Sequence, residues 1–426
     1  MTSVSRKLKI LLTLVFLFVL FSSLLFAQDN TSDNQPGDNL TLKIAIMGPG
    51  DELYFWWGHI GLLVEDNKTG QSWFYDWGVF SFENENFFVN FALGRLIYSC
   101  VASRSEPNIN SYIKHNRDVT LYTLDLPADK KDAVMRLAET NMLPENRDYF
   151  YHHFRDNCAT RIRDIIDIAV DGQFKAAYGD APGRYTLRQH VRRHTWFSPF
   201  FDWVLNLWMG QDIDKPITVW DEMFLPSEIA LRINEFSYVG SDGDDKPLVS
   251  TAEILNLSKN RPMVLETPRR QWPRELLVSI LFSGAILLLY FQRGKLKKFR
   301  VIMGLIQSLL GLFFGIAGSM LLFMSFFTDH DYTYHNSNIF FVNPLFLALI
   351  PLGLLFAFSK NEKKYFVVTR LIRAFWAYVI LGGLLAMAIK LFPAFYQQNQ
   401  VDLALVMPIA FSLVFINIML GKMKRA

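Results

Sequence analysis

Cysteine is nearly absent from this chain. Its 426 residues include two, Cys100 and Cys158, too few for a disulfide framework, a four-cysteine zinc site or an iron–sulfur centre, so one bridge or one reactive thiol is the limit. Charge is sparse as well: 19% of the residues are charged, and 43 basic against 40 acidic side chains leave a formal net charge of +3. That balance provides no concentrated basic surface and excludes nucleic acid as a partner. The sequence has no internal repeat, and no motif in it calls for a metal or a diffusible cofactor. What it has in abundance is apolar: 51% of the residues are hydrophobic and 15% aromatic, more than an ordinary soluble domain carries.

The apolar residues are unevenly spread and divide the chain. Residues 1–27 open with Arg6, Lys7 and Lys9, run through an apolar stretch over 10–20 and reach Ser22, Ser23 and Ala27. This is the pattern of an export signal; Leu25, larger than the usual residue three before a cleavage site, makes a retained N-terminal anchor the alternative. Residues 28–39 are polar, without periodicity, and read as a linker. Residues 40–270 mix alternating runs at 42–47 and 119–126 with helical patterns such as 130–141, which predicts an exported α+β domain. From 271 to 426 the composition changes. Apolar stretches at about 275–291, 301–327, 339–359, 372–392 and 403–420 each suffice for a transmembrane helix of about 20 residues, so an all-α membrane domain of five transmembrane helices is expected. Basic residues fill the first loop (Arg293, Lys295, Lys297, Lys298, Arg300), the third (Lys360, Lys363, Lys364, Arg370) and the tail (Lys422, Lys424, Arg425), while loops 328–338 and 393–402 contain none. By the positive-inside rule the exported domain and these two loops share the non-cytoplasmic side; Arg269, Arg270 and Arg274 run against the rule and are outweighed by the folded domain ahead of them.

Cys158 lies in Asp156-Asn157-Cys158-Ala159-Thr160-Arg161, where Asp156 or Asn157 can cap a helix starting at the cysteine. Helix N-terminal amides, with Arg161 one turn later, favour the thiolate over the thiol. Cys158, Ile162, Ile165 and Ala169 follow helical spacing on one face, so the sulfur points with the apolar stripe and needs a partner there. His59 is the candidate. It stands in Trp57-Gly58-His59-Ile60-Gly61-Leu62, an alternating run that ends at the turn cluster Asp66-Asn67-Lys68-Thr69-Gly70 before Trp73–Val79 returns as a second strand. In this hairpin Asp76 can orient the imidazole across the strands, and Gly58 and Gly61 permit close approach of a substrate or another backbone.

Other readings stay open on the residues alone. His59 alone would be an ordinary strand histidine, and His152 and His153 are rival bases. Cys158 in an exported domain could be bridged to Cys100. Arg161 and Arg163 fit a phosphate or a solvated helix face, and Tyr149, Phe150, Tyr151 and Phe154 fit a core better than a substrate platform. His330, Asp331, His335, Asn336 and Asn338 fit a polar loop facing the exported domain better than a metal site, and the Asn-X-Ser/Thr triplets at Asn30, Asn39, Asn67 and Asn256 are short enough to arise by chance.

The His59-before-Cys158 order in these two motifs resembles a circularly permuted papain-like fold of the NlpC/P60 and lecithin:retinol acyltransferase kind. Tyr75-Asp76-Trp77-Gly78-Val79-Phe80, the Asp156–Asp164 run, Met223-Phe224-Leu225-Pro226 and the multi-pass tail together resemble the Lnb-type bacterial lipoprotein N-acyltransferases over nearly the whole chain. The resemblance implies a bacterial inner-membrane enzyme with its catalytic domain in the periplasm. Cys158 would be the nucleophile and His59 the general base, with Asp76 orienting His59 at a position where the family also accepts Asn; Asn157 and Arg161 would contact substrate. The implied partners are a phospholipid acyl donor, a diacylglyceryl lipoprotein acceptor and membrane lipids. The alternatives are a membrane-tethered cysteine peptidase or amidase of the cell envelope, and a non-enzymatic envelope module holding a Cys100–Cys158 disulfide.

Overall fold

The computed structural model describes residues 36–80, 86–294 and 298–422. The leader expected over 1–27, most of the linker, Asn30, and the basic residues Lys295, Lys297, Lys424 and Arg425 lie outside the described residues.

Alternating apolar segments in the N-terminal half form β1 (Leu40–Met47), β2 (His59–Asp66), β3 (Gln71–Val79), β4 (Ile97–Arg104), β5 (Val119–Leu124) and β6 (Asp148–Phe150). β7 (Ser237–Val239) and β8 (Asp245–Pro247) make a separate hairpin, and β9 (Val249–Asn256) completes a seven-stranded antiparallel sheet of order β6-β4-β3-β2-β1-β5-β9. The β2–β3 turn is set by Asp66. Its carboxylate accepts the Lys68 and Thr69 amides at 2.9 and 3.3 Å and the Thr69 hydroxyl at 2.7 Å, a side-chain turn that fixes the register at Val64↔Trp73 and Leu62↔Tyr75.

Both faces of the sheet centre are covered. Leu42, Ile44, Ile60, Leu62, Val64, Tyr75 and Trp77 pack under helices Ala128–Asn141, Cys158–Ala169 and Pro226–Glu235, while Ala45, Met47, Leu63 and Phe74 pack under helix Ser105–Lys114. Each such fully buried aliphatic side chain contributes roughly 1.5–3 kcal/mol. The sheet and its helices thus form the expected α+β domain.

Among the described residues, five helices in the C-terminal half are long and apolar enough to cross a membrane: Trp272–Phe291, Phe299–Phe327, Ser337–Phe358, Glu362–Leu391 and Gln400–Gly421. Their core is shared with the N-terminal half, because helix Pro199–Trp208 inserts Trp203, Val204 and Leu207 among Phe314, Phe341, Val401 and Leu403.

Candidate functional site

Asn157 caps helix Cys158–Ala169 with every polar group it has. Its Oδ1 accepts the Ala159 and Thr160 amides at 2.8 and 2.9 Å, and its Nδ2 donates to the His153 and Phe224 carbonyls at 2.8 and 3.0 Å. The Thr160 hydroxyl returns the bond from the Asn157 N–H at 2.8 Å, completing a capping box. The Arg161 amide bonds the Asn157 carbonyl, so the Cys158 N–H is the first-turn amide without a partner among the described residues. The bonds of Asn157 are all internal to the chain. Arg161, half-buried, is bidentate on Asp156 at 2.6 and 2.8 Å and stacked 4.3 Å from the Tyr149 ring centre.

His59 opens β2, and its Nε2 lies 2.9 Å from Asp76 Oδ1, which also accepts the Gly78 amide at 2.6 Å. Both residues are buried. By strand alternation they share the face of Leu63 and Phe74, where the Tyr112 ring lies 6.0 Å from the imidazole. The Cys158 helix covers the opposite face, and Cys158 is within electrostatic reach of His59, Tyr112 and Arg117. Burial alone would lower the His59 pKa, but the Asp76 carboxylate outweighs it and holds the imidazole well above 6.5.

The sign of that shift gives a test. A raised folded-state pKa stabilises fully below the unfolded value of about 6.5 and loses its contribution as pH rises through the folded value. Asp76→Asn is therefore expected to lower the thermal midpoint of the full chain in nanodiscs most near pH 6 and progressively less toward about pH 9.5. An equal deficit at both pH values would mean that the pair carries no extra proton in the folded state.

Neither flanking glycine opens onto a substrate. Gly58, at φ +81°, would place a Cβ 2.9 Å from the Met47 carbonyl oxygen, with Pro226 of the Met223–Pro226 motif just beyond, and Gly61 lies against the Phe74 ring. Sequence reasoning passed over the glycine that does shape the site. A Cβ at Gly78 would stand 2.5 Å from His59 Cε1 and 3.2 Å from Asp76 Oδ1, so only glycine lets the imidazole lie over β3. Gly78→Ala is expected to displace the ring and cost about 100-fold in turnover, the usual scale for an ångström of misplacement. A folded Gly78→Ala protein with parental turnover would show that His59 placement is not limiting.

Arg117 was also missed, since an isolated arginine before a strand carries no motif. It is buried, donates Nε to the Gly48 carbonyl at 2.8 Å, and lies 4.7 Å from the Phe55 ring and 4.9 Å from the Tyr112 ring. Its Nη2 has no hydrogen-bond partner among the described residues, which leaves a buried positive edge within electrostatic reach of Cys158.

Cys100 and Cys158 are both free thiols, which corrects the bridged alternative. His152 is not at the thiol: its Nε2 bonds Asp331 Oδ1 at 2.8 Å, and Arg155 reaches Asp331 Oδ2 at 3.0 Å. The turn leading into Cys158 is thus clamped to the loop between the second and third spans. The rest of that loop also faces the N-terminal domain, His335 on Asp212 at 2.8 Å and Asn336 on the Leu207 carbonyl at 2.9 Å. Of the aromatic run, Phe154 is core whereas Phe150 is 70% exposed.

No curated protein and no solved structure matches the chain. Two family matches cover most of it: residues 27–193, which hold His59, Asp76 and Cys158, match the Lnb N-terminal periplasmic domain, and residues 272–425, which hold all five apolar helices, match the Lnb transmembrane domain. A chain with both regions in this order is a member of the Lnb family, a membrane protein made of a periplasmic domain followed by a transmembrane domain.

Proposed function

We propose that this protein transfers a fatty acyl chain from a phospholipid to the N-terminal amine of diacylglyceryl lipoproteins, with Cys158 as nucleophile in a permuted papain-like catalytic domain. In this reading residues 40–270 form the catalytic domain on the periplasmic side of the inner membrane and residues 271–426 the membrane domain. The observation that carries it is the clamp of His152 and Arg155 on Asp331, because it holds the turn before Cys158 against the membrane loop, where acyl-anchored donor and acceptor both reside.

The chemistry follows from the groups present. The Asp76 bond engages His59 Nε2, leaving Nδ1 to take the Cys158 proton. The thiolate attacks the ester carbonyl, and the developing oxyanion is held by the unpaired Cys158 N–H. Collapse breaks the ester C–O bond, and the lysophospholipid oxygen leaves with the proton from His59. The acceptor amine, with an α-amino pKa near 7.7–8.0, is partly neutral at physiological pH; it attacks the thioester, His59 takes its proton, and the Cys158 thiolate departs.

The test is mass spectrometry of lipoprotein N-terminal peptides from a bacterium depleted of its own N-acyltransferase. Expression of this protein is expected to add a third acyl chain. A membrane-inserted protein that adds none, but cleaves muropeptides, would replace this reading with the envelope peptidase.

A further inference from the structure

The short helix Phe87–Ala92 is docked on the membrane region by its C-terminal end. The Leu93 carbonyl accepts the Asp329 amide at 2.8 Å, His330 Nε2 lies 3.1 Å from the Phe91 carbonyl, and Arg95 Nε bonds Asp329 Oδ2 at 2.8 Å. Asp329 comes two residues after Phe327, the last residue of the second span. The helix therefore sits at the level where that span ends. There it exposes Phe88, Val89 and Phe91 at 72%, 57% and 50%, beside Phe326 and Phe327 at 69% and 64% on the span itself. Exposed apolar side chains on a helix bonded to the end of a transmembrane span fit acyl chains rather than water.

Inward from this helix the rings form a row. Phe87 stacks on Phe80 with centroids 6.0 Å apart, Phe80 lies 5.0 Å from Tyr98, and Tyr98 stacks on Tyr151 at 4.0 Å. Tyr98 and Tyr151 are both within electrostatic reach of Cys158.

We infer that helix Phe87–Ala92 lies in the leaflet on the domain's side of the membrane, and that the row Phe87–Phe80–Tyr98–Tyr151 is the track along which a phospholipid acyl chain leaves the bilayer for Cys158. The destination of the chain rests on the acyl-transfer reading; the position of the helix does not. An aromatic row suits this use because an extended polymethylene chain gains dispersion contact along its length without requiring a fixed register.

Two measurements on the full chain in nanodiscs separate the parts. The fluorophore NBD is attached at Val89→Cys, or at Lys68→Cys in the distal β2–β3 turn, each in a Cys100→Ala, Cys158→Ser background, and brominated phospholipid is used as quencher. Quenching at position 89 but not at 68 is expected; absence of quenching at 89 overturns the membrane position. In the second, Cys158 is intact and Val89 and Phe91 are both replaced by aspartate. Acylation of Cys158 by vesicle phospholipid is expected to fall at least about tenfold, while acylation by a water-soluble short-chain ester is unchanged. Equal loss with both donors, or no loss with phospholipid, overturns the track. A parent protein that phospholipid never acylates defeats the acyl-transfer reading and the track with it, and the quenching result still decides where the helix lies.

Discussion

Replacing Cys158 with alanine is expected to abolish acyl transfer, a fall of about 10⁴- to 10⁶-fold on the scale set by nucleophile deletions, whereas Cys100→Ala keeps turnover within about threefold of the parent. The two thiols differ by position. Cys158 begins a capped helix, at the end where the helix dipole is positive, and is within electrostatic reach of His59. Cys100 lies in the middle of β4, buried under the helix layer, and burial, with the Asp76 charge adding, pushes its thiol up to about 12. A thiol held neutral in this way is a small core hydrophobe. Intact-mass measurement of the full chain incubated with phospholipid would detect a hydroxylamine-labile acyl adduct, and peptide mapping would place it on residue 158. An adduct on Cys100, or transfer that survives Cys158→Ala, would remove Cys158 from the mechanism.

The second large effect is structural. Arg188, on helix Leu187–Thr195, is fully buried and satisfies all its donors: Asp214 Oδ1 at 2.7 Å, the Asn206 carbonyl and side-chain oxygen at 2.9 and 3.1 Å, and the Met209 and Gly210 carbonyls at 2.9 and 2.7 Å. The same segment is held from the membrane side. Asn206 donates to Asp402 at 2.8 Å, Asn338 donates to the Leu207 carbonyl at 3.0 Å, and Gln397 donates to the Met209 carbonyl at 3.1 Å. Arg188 therefore organises the loop ends of helix Pro199–Trp208 so that the spans can bind them. Arg188→Met leaves Asp214 buried without its partner, at a cost of about 3–5 kcal/mol, and is expected to lower the unfolding midpoint of the detergent-solubilised chain sharply. Arg188→Lys is expected to restore only part of the loss, because three ammonium donors cannot reproduce a planar five-donor fork. If Arg188→Met unfolds within about 1 kcal/mol of the parent, within the range of ordinary point substitutions, the buried network is not what joins the two halves.

Much of this protein could be read locally. The β2–β3 hairpin, the helix starting at Cys158 and five apolar spans depend on residues close in sequence: an aspartate turn, an asparagine cap, and runs of about 20 apolar residues that no soluble core would accommodate. The match of Asp76 to His59 also belongs to this class, since one hairpin with a defined turn brings both to the same end of the same face. Less legible was how the rest of these side chains is used: only the folded chain shows that the capping Asn157 also donates to the His153 and Phe224 carbonyls and that Arg161 is engaged by the Asp156 carboxylate. What tertiary structure alone decided are the long-range meetings. Gly78 must lack a side chain because His59 lies over it, and His152 reaches Asp331 across 179 positions of sequence. Helical and strand periods specify which face a residue occupies, but they carry no information about which distant element covers that face; that is settled by packing two layers on a sheet and five helices against one another, where burial of the whole surface selects the arrangement.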